Sequence, residues 1–528
     1  MSSVVKTNVE YRVFAGLYKD SVSLMQLGAK LRAHDGVEEA SCLMATPANL
    51  AQLADAGLAV DASFAPSDLL VIVRGEAKAC AAAIDMAAEI LQSAEAPGEI
   101  SATSFALPMS SLSQGIERAP DADLALISVP GDYASAEAMK ALALGLHVML
   151  FSDNVSAADE RAVKTYAGER GLLVMGPDCG TAIVNGVPLG FANVVRRGDI
   201  GLVAASGTGL QEVTCRIHHL GGGVSQALGT GGRDLHDDIG GVTMLQGLRA
   251  LADDAETRVI VLISKPPSPA IAAKVLDLAA ASGKPVVVHF LGAPVGSVQR
   301  PGIVAAQSLQ HAADAAVALA QGRSSPGHPD NSSAIERLAA SIDAMAPVQR
   351  VVRGLFSGGT FCYEAQLVFL QRGLACRSNA PVHGAAPIDA HTDGHVFIDL
   401  GDDEYTRGRP HPMIDPSQRN AAIRAHAEDP ATAALLFDVV LGYGAHADPA
   451  GALAQALRDA SASAETHGRT LALIAHVCGT EGDPQGKPRQ LATLTEAGVI
   501  VAESNFEAAA LAAELAARLA ARRLRSPT

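Results

Sequence analysis

The chain has 528 residues and a formal net charge of −16, with 48% hydrophobic and only 18% charged residues. The net negative charge argues against nucleic acid as a partner, because binding phosphates requires a basic face. No membrane association is expected, because the apolar runs are far shorter than the roughly 20 residues that cross a bilayer. Seven scattered cysteines without a Cys-x-x-Cys pair indicate a cytoplasmic protein with reduced thiols and no bound metal.

Short apolar runs recur along the chain, each followed by Gly or Pro and then by an Ala-rich stretch. Continuous rather than alternating apolar strands, joined by helices, indicate parallel sheets covered on both faces. The predicted strands include residues 69–73, 124–129, 148–151, 172–175, 200–204, 259–263 and 286–290. The predicted fold class is therefore α/β.

An internal repeat defines the domain organisation, because four segments recur in the same order. The matched pairs are 205–212 with 356–364, 259–263 with 434–438, 286–292 with 473–479, and 302–308 with 498–504. One α/β module is thus predicted twice, at 196–325 and 346–520, with a polar linker at 326–345 between them. Residues 1–195 form a third unit, which can divide near residue 100, and 521–528 form a basic tail.

Two strand–glycine–helix turns carry the strongest functional signal. They are Ser206-Gly207-Thr208-Gly209 in the first module and Ser357-Gly358-Gly359-Thr360 in the second. Each offers a hydroxyl, free backbone N–H groups and a positive helix end to an anion. Alternatively, Ser and Thr merely cap the helices while Gly permits the turns. Because the turns match, we expect them to hold one phosphate or acyl phosphate between two helix N-termini.

Five other residues are candidates for binding or catalysis. Arg233, beside Asp234, could clamp a substrate carboxylate, or the two could form an ion pair that fixes a loop. Lys265 follows a predicted strand, where open α/β sheets bind ligands, and could polarise a carbonyl; a solvated loop lysine is the alternative. Arg409 and His411 lie in a rigid turn, where His411 could protonate a leaving nitrogen or simply form a hydrogen bond.

Two histidines and two cysteines are predicted to be structural. His289 and His476 lie inside apolar strands and are expected to be satisfied core histidines. Cys179 and Cys215 have no basic partner that is evident in the sequence, so neither is expected to act as a nucleophile.

Nine segments resemble the FdrA family, a branch of the succinyl-CoA synthetase superfamily, over almost the whole chain. They are residues 20–25, 46–49, 151–155, 174–180, 205–209, 231–234, 264–267, 398–403 and 408–415. The resemblance implies a Rossmann-like domain of the CoA-binding type at 1–195. It also implies two flavodoxin-like ligase domains, one like that of the α subunit at 196–325 and one like the carboxyl-terminal domain of the β subunit at 346–520. The nucleotide-binding grasp domain has no counterpart, so the chain alone is not expected to use ATP.

Two departures from the superfamily bear on the activity. Its ligases carry phosphate on a histidine in a Gly-His-Ala-Gly loop, but the corresponding residues 291–300 contain no histidine. The CoA-binding turn, residues 15–21, keeps only Gly16. Both departures argue against a phosphohistidine relay and a CoA requirement, so we expect no cofactor for this chain alone.

The resemblance to FdrA implies a subunit of an oxamate carbamoyltransferase in purine and allantoin catabolism. This enzyme interconverts oxalurate plus phosphate with oxamate plus carbamoyl phosphate. In this hypothesis, phosphate held by the two turns attacks the ureido carbonyl, while backbone N–H groups and Lys265 stabilise the oxyanion. Arg233 holds the oxalyl carboxylate, and His411 protonates the departing amide.

The expected partners are small anions, namely phosphate, oxalurate or an acyl phosphate. The chain is also expected to assemble with other subunits, or with a second copy of itself in a homodimer. Two alternatives stay open. One is an acyl-CoA synthetase that works with a separate nucleotide-binding subunit, and the other is a non-catalytic scaffold.

Overall fold

The computed structural model describes residues 8–93 except 59 and 61, residues 111–323, and residues 338–525 except 340, 390–393 and 408. Most of the predicted linker and the last three residues of the predicted basic tail lie outside these ranges. Four β-sheets, each covered by helices, make up the described part of the chain. None of its helices is both long and apolar enough to cross a membrane. The parallel sheets described below confirm the predicted α/β class.

The first sheet is antiparallel, with the strand order β1-β3-β2. Its elements are β1 (Asn8–Phe14), α1 (Ser21–Arg32), β2 (Val37–Met44), α2 (Pro47–Asp55), β3 (Leu69–Gly75) and α3 (Ala77–Ser93). Helices α1 and α3 cover one face of the sheet and α2 covers the other. The prediction of a parallel strand at 69–73 is therefore wrong in direction, because a continuous apolar run reports burial on both faces and not the orientation of the neighbouring strands.

A small parallel sheet follows, with the order β4-β5-β6. Its elements are α4 (Leu112–Arg118), β4 (Leu124–Ile127), α5 (Gly131–Ala143), β5 (His147–Leu150), α6 (Ala157–Gly168) and β6 (Val174–Met175). The loops after β5 and β6 lead towards the candidate site described below.

The third sheet has seven strands in the order β13-β12-β11-β9-β10-β7-β8. Its strands are β7 (Thr181–Val184), β8 (Val187–Gly190), β9 (Arg197–Ala205), β10 (Val224–Gly229), β11 (Val259–Ser264), β12 (Val286–Phe290) and β13 (Ile303–Ala305). Its helices are α7 (Gly207–His219), α8 (Val242–Asp253), α9 (Pro269–Ala281), α10 (Val295–Val298) and α11 (Leu309–Ala320).

The fourth sheet also has seven strands, in the order β16-β15-β17-β14-β18-β19-β20. Its strands are β14 (Val351–Phe356), β15 (Cys376–Ser378), β16 (Ala386–Pro387), β17 (His395–Asp399), β18 (Thr432–Val440), β19 (Ala472–Cys478) and β20 (Ile500–Ala502). Its helices are α12 (Gly359–Gln371), α13 (Asp403–Thr406), α14 (Ser417–Glu428), α15 (Pro449–Thr466), α16 (Lys487–Glu496) and α17 (Asn505–Arg525).

The two large sheets confirm the internal repeat. The order β13-β12-β11-β9 of the first is matched by β20-β19-β18-β14 of the second, and all four matched segments fall on equivalent strands and helices. Helices α7 and α11 of the first module and α12 and α17 of the second pack into one continuous hydrophobic core. The two modules are therefore packed against each other through their first and last helices.

Two buried glutamates join these helices across the module boundary. Glu212 of α7 accepts a hydrogen bond from the Asn505 N–H at the start of α17, at 3.3 Å. In the opposite direction, Glu364 of α12 accepts one from the Leu309 N–H at the start of α11, at 2.9 Å, and another from the Asn505 side chain at 2.8 Å. Each carboxylate thus caps the positive end of the last helix of the other module.

The burial of Glu364 predicts a pH-dependent stability. Desolvation outweighs the hydrogen bonds from Asn505 and Leu309 and raises the pKa of Glu364 to about 7. Ionisation of this group therefore destabilises the fold: stability is highest at acidic pH, where Glu364 is protonated, and falls as the pH rises to 7. Relative to Glu364→Gln, the wild type should lose about 2 kcal/mol of unfolding free energy between pH 5 and pH 8. Urea unfolding at several pH values measures this, with Glu465→Gln at an exposed position of α15 as the matched control. Parallel stability curves for wild type and Glu364→Gln would contradict the assignment.

Candidate anion-binding site between the two modules

The carboxyl ends of four central strands meet where the two modules touch. In the first module, Ser264 at the end of β11 pairs with Ala205 at the end of β9, so Lys265 follows beside the N-terminus of α7. In the second, Asp399 at the end of β17 pairs with Phe356 at the end of β14. The Ser206 and Thr360 hydroxyls, 2.6 Å apart, join the starts of α7 and α12. The two predicted turns therefore face each other.

The first turn leaves donors available to a ligand. Ser206 caps α7 by accepting a hydrogen bond from the Gly209 N–H at 3.0 Å. Gly207 is exposed and Thr208 is half-buried. Within the described ranges, no hydrogen bond is formed by the N–H groups of Gly207 and Thr208. Together with the positive helix end, these groups can bind an anion.

The second turn already holds an anion, which is the buried carboxylate of Asp438. Its oxygens accept hydrogen bonds from the Ser357 N–H and hydroxyl, both at 2.8 Å, and from the Gly358 N–H at 2.9 Å. Buried Arg419 compensates the charge at 3.0 Å. The prediction that Ser357 and Gly358 bind a substrate anion is therefore wrong, because a side chain of the protein occupies their donors.

Close packing between the turns explains the remaining residues of the second one. A Cβ on Gly358 would lie 3.0 Å from the methyl group of Thr208, and a Cβ on Gly359 would lie 2.5 Å from Asp399 Oδ2. The Thr360 hydroxyl is hydrogen-bonded to the Ser206 hydroxyl. The position of Asp438 corresponds in the repeat to Ile263, which carries no charge, so no carboxylate of the protein fills the first turn. The Gly359 and Thr360 N–H groups of the second turn also form no hydrogen bond among the described residues, but these residues are less exposed than Gly207 and Thr208. The first turn is therefore the more accessible of the two to an external anion.

Lys265 lies between two carboxylic acids with altered pKa values. Burial raises the pKa of Asp399 to about 6, and the charge of Lys265 limits the rise. Asp178 is open to solvent, but surrounding protein atoms desolvate it and raise its pKa to about 6, with help from Asp153 and Asp403. Lys265 itself is exposed and forms no ion pair within 4 Å among the described residues. Its ammonium group is therefore available to a ligand.

Arg233 and Asp234 belong to a buried ion-pair network. Asp234 is fully buried, accepts from Lys164 Nζ at 2.7 Å, and caps α8 through the Thr243 and Met244 N–H groups. The prediction that Asp234 contacts a substrate is therefore wrong. Arg233 pairs with Glu160 at 3.0 Å, although 44% of its side chain stays exposed. The alternative stated from the sequence, an ion pair between Arg233 and Asp234, is not observed either, because Arg233 pairs with Glu160 and Asp234 pairs with Lys164.

Arg409 and His411 have structural contacts that the sequence did not predict. Arg409 Nε lies 3.3 Å from Glu39 of the first sheet, so it joins the N-terminal unit to the second module. The Met413 N–H donates to His411 Nδ1 at 3.2 Å, and burial lowers the pKa of His411 to about 4. His411 is therefore neutral at physiological pH, which contradicts its predicted role as the proton donor.

The core histidines and cysteines are largely as predicted. His289 Nδ1 lies 3.0 Å from the Ala306 carbonyl, and His476 Nε2 lies 2.6 Å from Glu212, both in buried strands. One ring nitrogen of each, His289 Nε2 and His476 Nδ1, has no hydrogen-bond partner among the described residues, so the expectation that both rings are satisfied is only partly met. Cys179 and Cys215 are buried free thiols, and desolvation raises both pKa values, for Cys179 to about 12. Neither thiol is activated as a nucleophile.

Asp178 and Asp399 are functional candidates that the sequence reasoning missed. Asp399 ends an apolar strand, and Asp178 follows β6 in a turn where its φ is 56°. The sequence feature that could have identified these two residues is an acidic residue at the end of an apolar run or directly after it. Their shifted pKa values depend on neighbours from distant segments, which no local pattern reveals.

Three protein-family models match the chain. The CoA-ligase model covers residues 355–515, the CoA-binding-domain model covers 195–292, and the model described as "AllF, heavy metal-associated domain" covers 6–104. The CoA-binding match lies in the first large module, whereas the resemblance placed that type of domain at residues 1–195. These matches support membership of the succinyl-CoA synthetase superfamily and an acyl-CoA-ligase type of fold.

One relative extends over nearly the whole chain. The uncharacterized protein YahF of Escherichia coli is 42% identical over 503 residues, covering 94% of this chain and 96% of YahF. The succinate–CoA ligase [ADP-forming] subunit alpha 2 of Archaeoglobus fulgidus is 30% identical over 152 residues, which are 28% of this chain and 52% of that protein. The chain thus matches about half the length of that ligase protein.

Among solved structures, the dinucleotide-forming acetyl-coenzyme A synthetase 1 of Ca. Korarchaeum cryptofilum in its apo form is similar at 16% identity. The alignment covers 77% of this chain and 85% of that chain, with a TM-score of 0.29. An ATP citrate lyase of Methanothrix soehngenii aligns over 45% of this chain and 46% of its own, at 18% identity and a TM-score of 0.33.

Because the Asp438 carboxylate is buried in the second turn, removal of its charge should strongly lower the stability of the protein. Asp438→Asn keeps the shape of the side chain but leaves the charge of Arg419 buried without its partner, which should cost about 3 kcal/mol of unfolding free energy. Urea unfolding measures the effect. Asp459→Asn, which removes an exposed partner of Arg424, should leave the unfolding midpoint nearly unchanged. Equal midpoints for both variants would show that Asp438 does not hold the turn.

Proposed function

We propose that this chain, which belongs to the same family as the YahF protein of Escherichia coli, binds phosphate at the N-terminus of α7 and transfers a carbamoyl group to it. The proposed enzyme is of the oxamate carbamoyltransferase type, with oxalurate and phosphate on one side and oxamate and carbamoyl phosphate on the other. The observation that carries the proposal is that, among the residues the structure describes, the N–H groups of Gly207 and Thr208 form no hydrogen bond and neighbouring Lys265 forms no ion pair.

The reaction requires one bond to form and one to break at the ureido carbonyl. A phosphate oxygen attacks the carbonyl carbon, and the bond from that carbon to the oxamate nitrogen breaks. The N–H groups of Gly207 and Thr208 orient the phosphate, while Lys265 stabilises the negative charge that develops on the carbonyl oxygen. This chemistry needs no phosphohistidine, which agrees with the absence of histidine from residues 291–300.

The departing nitrogen requires a proton, and Asp178 fits this role better than His411. A pKa of about 6 lets a carboxyl group supply a proton near neutral pH, whereas His411 carries no additional proton there. Asp399 has a similar pKa but is buried, so Asp178 is the accessible donor. The exposed part of Arg233 lies near Asp178 and can bind the oxalyl carboxylate.

A CoA ligase is the second candidate function. It is favoured by the CoA-binding-domain match at 195–292 together with the CoA-ligase match at 355–515. Such an enzyme would need a separate nucleotide-binding subunit. Specific retention of the chain on immobilised CoA, reversed by free CoA, would favour this candidate over carbamoyl transfer.

Lys265→Ala tests the phosphate site. Loss of the ammonium group should raise the dissociation constant for phosphate about tenfold, which is roughly 1.4 kcal/mol. Isothermal titration of the purified chain with phosphate measures this without any partner subunit. Lys274→Ala, at an exposed position of α9, should bind phosphate like the wild type. Unchanged binding by Lys265→Ala, or no phosphate binding by the wild type, would reject the site.

Asp178→Asn tests the proton donor. In the assembled enzyme, the wild-type rate of phosphorolysis should fall as the pH rises through 6, because only neutral Asp178 can donate a proton. The variant should be slower by roughly 100-fold and should lose this pH dependence. Rates with saturating oxalurate and phosphate measure both effects, with Asp121→Asn at an exposed position as the control. An unchanged pH profile in Asp178→Asn would exclude Asp178 as the donor.

A further inference from the structure

Four donor side chains meet in the core between the two modules. Glu212 and Cys215 are three residues apart on α7 and therefore share one face of the helix. His476 and Cys478 are two residues apart on β19 and share one face of the strand. Helix α7 packs against β19, and all four residues are buried. The cluster is thus built from two rigid elements, one from each module.

Three donor atoms of the cluster lie close together, and the Cys215 thiol is near one of them. One donor atom from each of Glu212, His476 and Cys478 lies within 4.8 Å of the others. The Cys478 thiol lies close enough to the Cys215 thiol and to the His476 ring to influence their pKa values. His476 Nε2 lies 2.6 Å from Glu212 Oε2, which leaves Nδ1 as the other donor atom of the ring.

His476 Nδ1 is the observation that points to a ligand. This nitrogen is buried and forms no hydrogen bond of ordinary geometry in the part of the chain that the structure describes, and the nearby Cys478 thiol interacts with the His476 ring. Buried polar atoms in proteins are almost always paired. The other ring nitrogen is held by a carboxylate, and that carboxylate is itself oriented by the Asn505 N–H. A histidine held in this way by a carboxylate is typical of metal ligands.

We propose that the Cys215 and Cys478 thiolates and His476 Nδ1 bind a thiophilic divalent cation of the zinc class. Glu212 is a positioning residue, because it holds the His476 ring through Nε2–H without contacting the ion. Two sulfur ligands and one imidazole suit zinc and its substitutes cobalt and cadmium. This proposal is independent of the carbamoyl-transfer function.

The charge balance supports a divalent ion. Binding displaces one proton from each thiol and one from His476 Nδ1, when the imidazole is doubly protonated. Two thiolates, a neutral imidazole, the Glu212 carboxylate and a divalent cation then sum to −1. Lys487, which acts electrostatically on Glu212, Cys215 and His476, offsets this charge. The ion would fix α7 to β19 across the module boundary.

The test uses the full chain under reducing, oxygen-free conditions, before and after refolding from urea with Co²⁺ present. A bound Co²⁺ should give a thiolate-to-cobalt charge-transfer band at one ion per chain, and Zn²⁺ should bleach it. Cys478→Ser and Cys215→Ser should lose the band. Cys376→Ser, at a buried thiol of β15 outside the cluster, should keep it. Glu212→Gln should keep the band but weaken binding about 10- to 100-fold.

A measurement on the wild type tests the proposal even if the variants fail to fold. X-ray absorption of the zinc-loaded chain should report two sulfur ligands at about 2.3 Å and one nitrogen. The proposal is overturned if the folded wild type gives no band, if the band survives Cys478→Ser, or if absorption shows only oxygen and nitrogen ligands. A Cys215–Cys478 disulfide under the same reducing conditions would also overturn it, because the two sulfurs would then be a redox pair instead of ligands.

Discussion

Two buried carboxylates, each bound to the N-terminus of a helix from the other module, determine how this molecule is assembled. Glu212 and Glu364 sit at matching places on α7 and α12, and each reaches the last helix of the other module. A buried carboxyl group is tolerated only where hydrogen-bond partners surround it. The two modules must therefore dock in one orientation, and that orientation brings the N-termini of α7 and α12 into contact through Ser206 and Thr360.

The repeat is symmetric in its backbone and asymmetric in its charges. At one position the first module has Ile263 and the second has Asp438, which fills its own helix end and is paired with Arg419. The Asp438 carboxylate thereby neutralises one helix end inside the protein, while no carboxylate of the described residues fills the other, which lies beside Lys265. In the proposed function, the duplicated turn is a structural support in one module and a binding site in the other.

Much of this architecture could be predicted from the sequence, because the repeat preserves the apolar strands and the glycine turns that define each module. The predictions failed where a residue depends on a distant partner. Asp234 looked like a substrate contact, but Lys164, 70 residues earlier, buries it in an ion pair. The antiparallel direction of the 69–75 strand depends on which strands lie beside it, and its apolar composition carries no information about that. The predicted acid–base role of His411 was wrong for the same reason, since burial in the folded protein lowers its pKa.

The negative charges around the site affect both the binding of an anion and the protonation of Asp178. The chain carries a net charge of −16, and Asp153, Asp178 and Asp403 lie close together near the open turn. An anion bound there is therefore held by local donors against an unfavourable field, and not drawn in by long-range attraction. Desolvation by the surrounding protein atoms, together with the charges of Asp153 and Asp403, raises the pKa of Asp178 to about 6 and keeps its carboxyl group partly protonated near neutral pH. In the proposed reaction, the donors at the helix end would position the anion, and the desolvated Asp178 among the acidic loops would supply the proton.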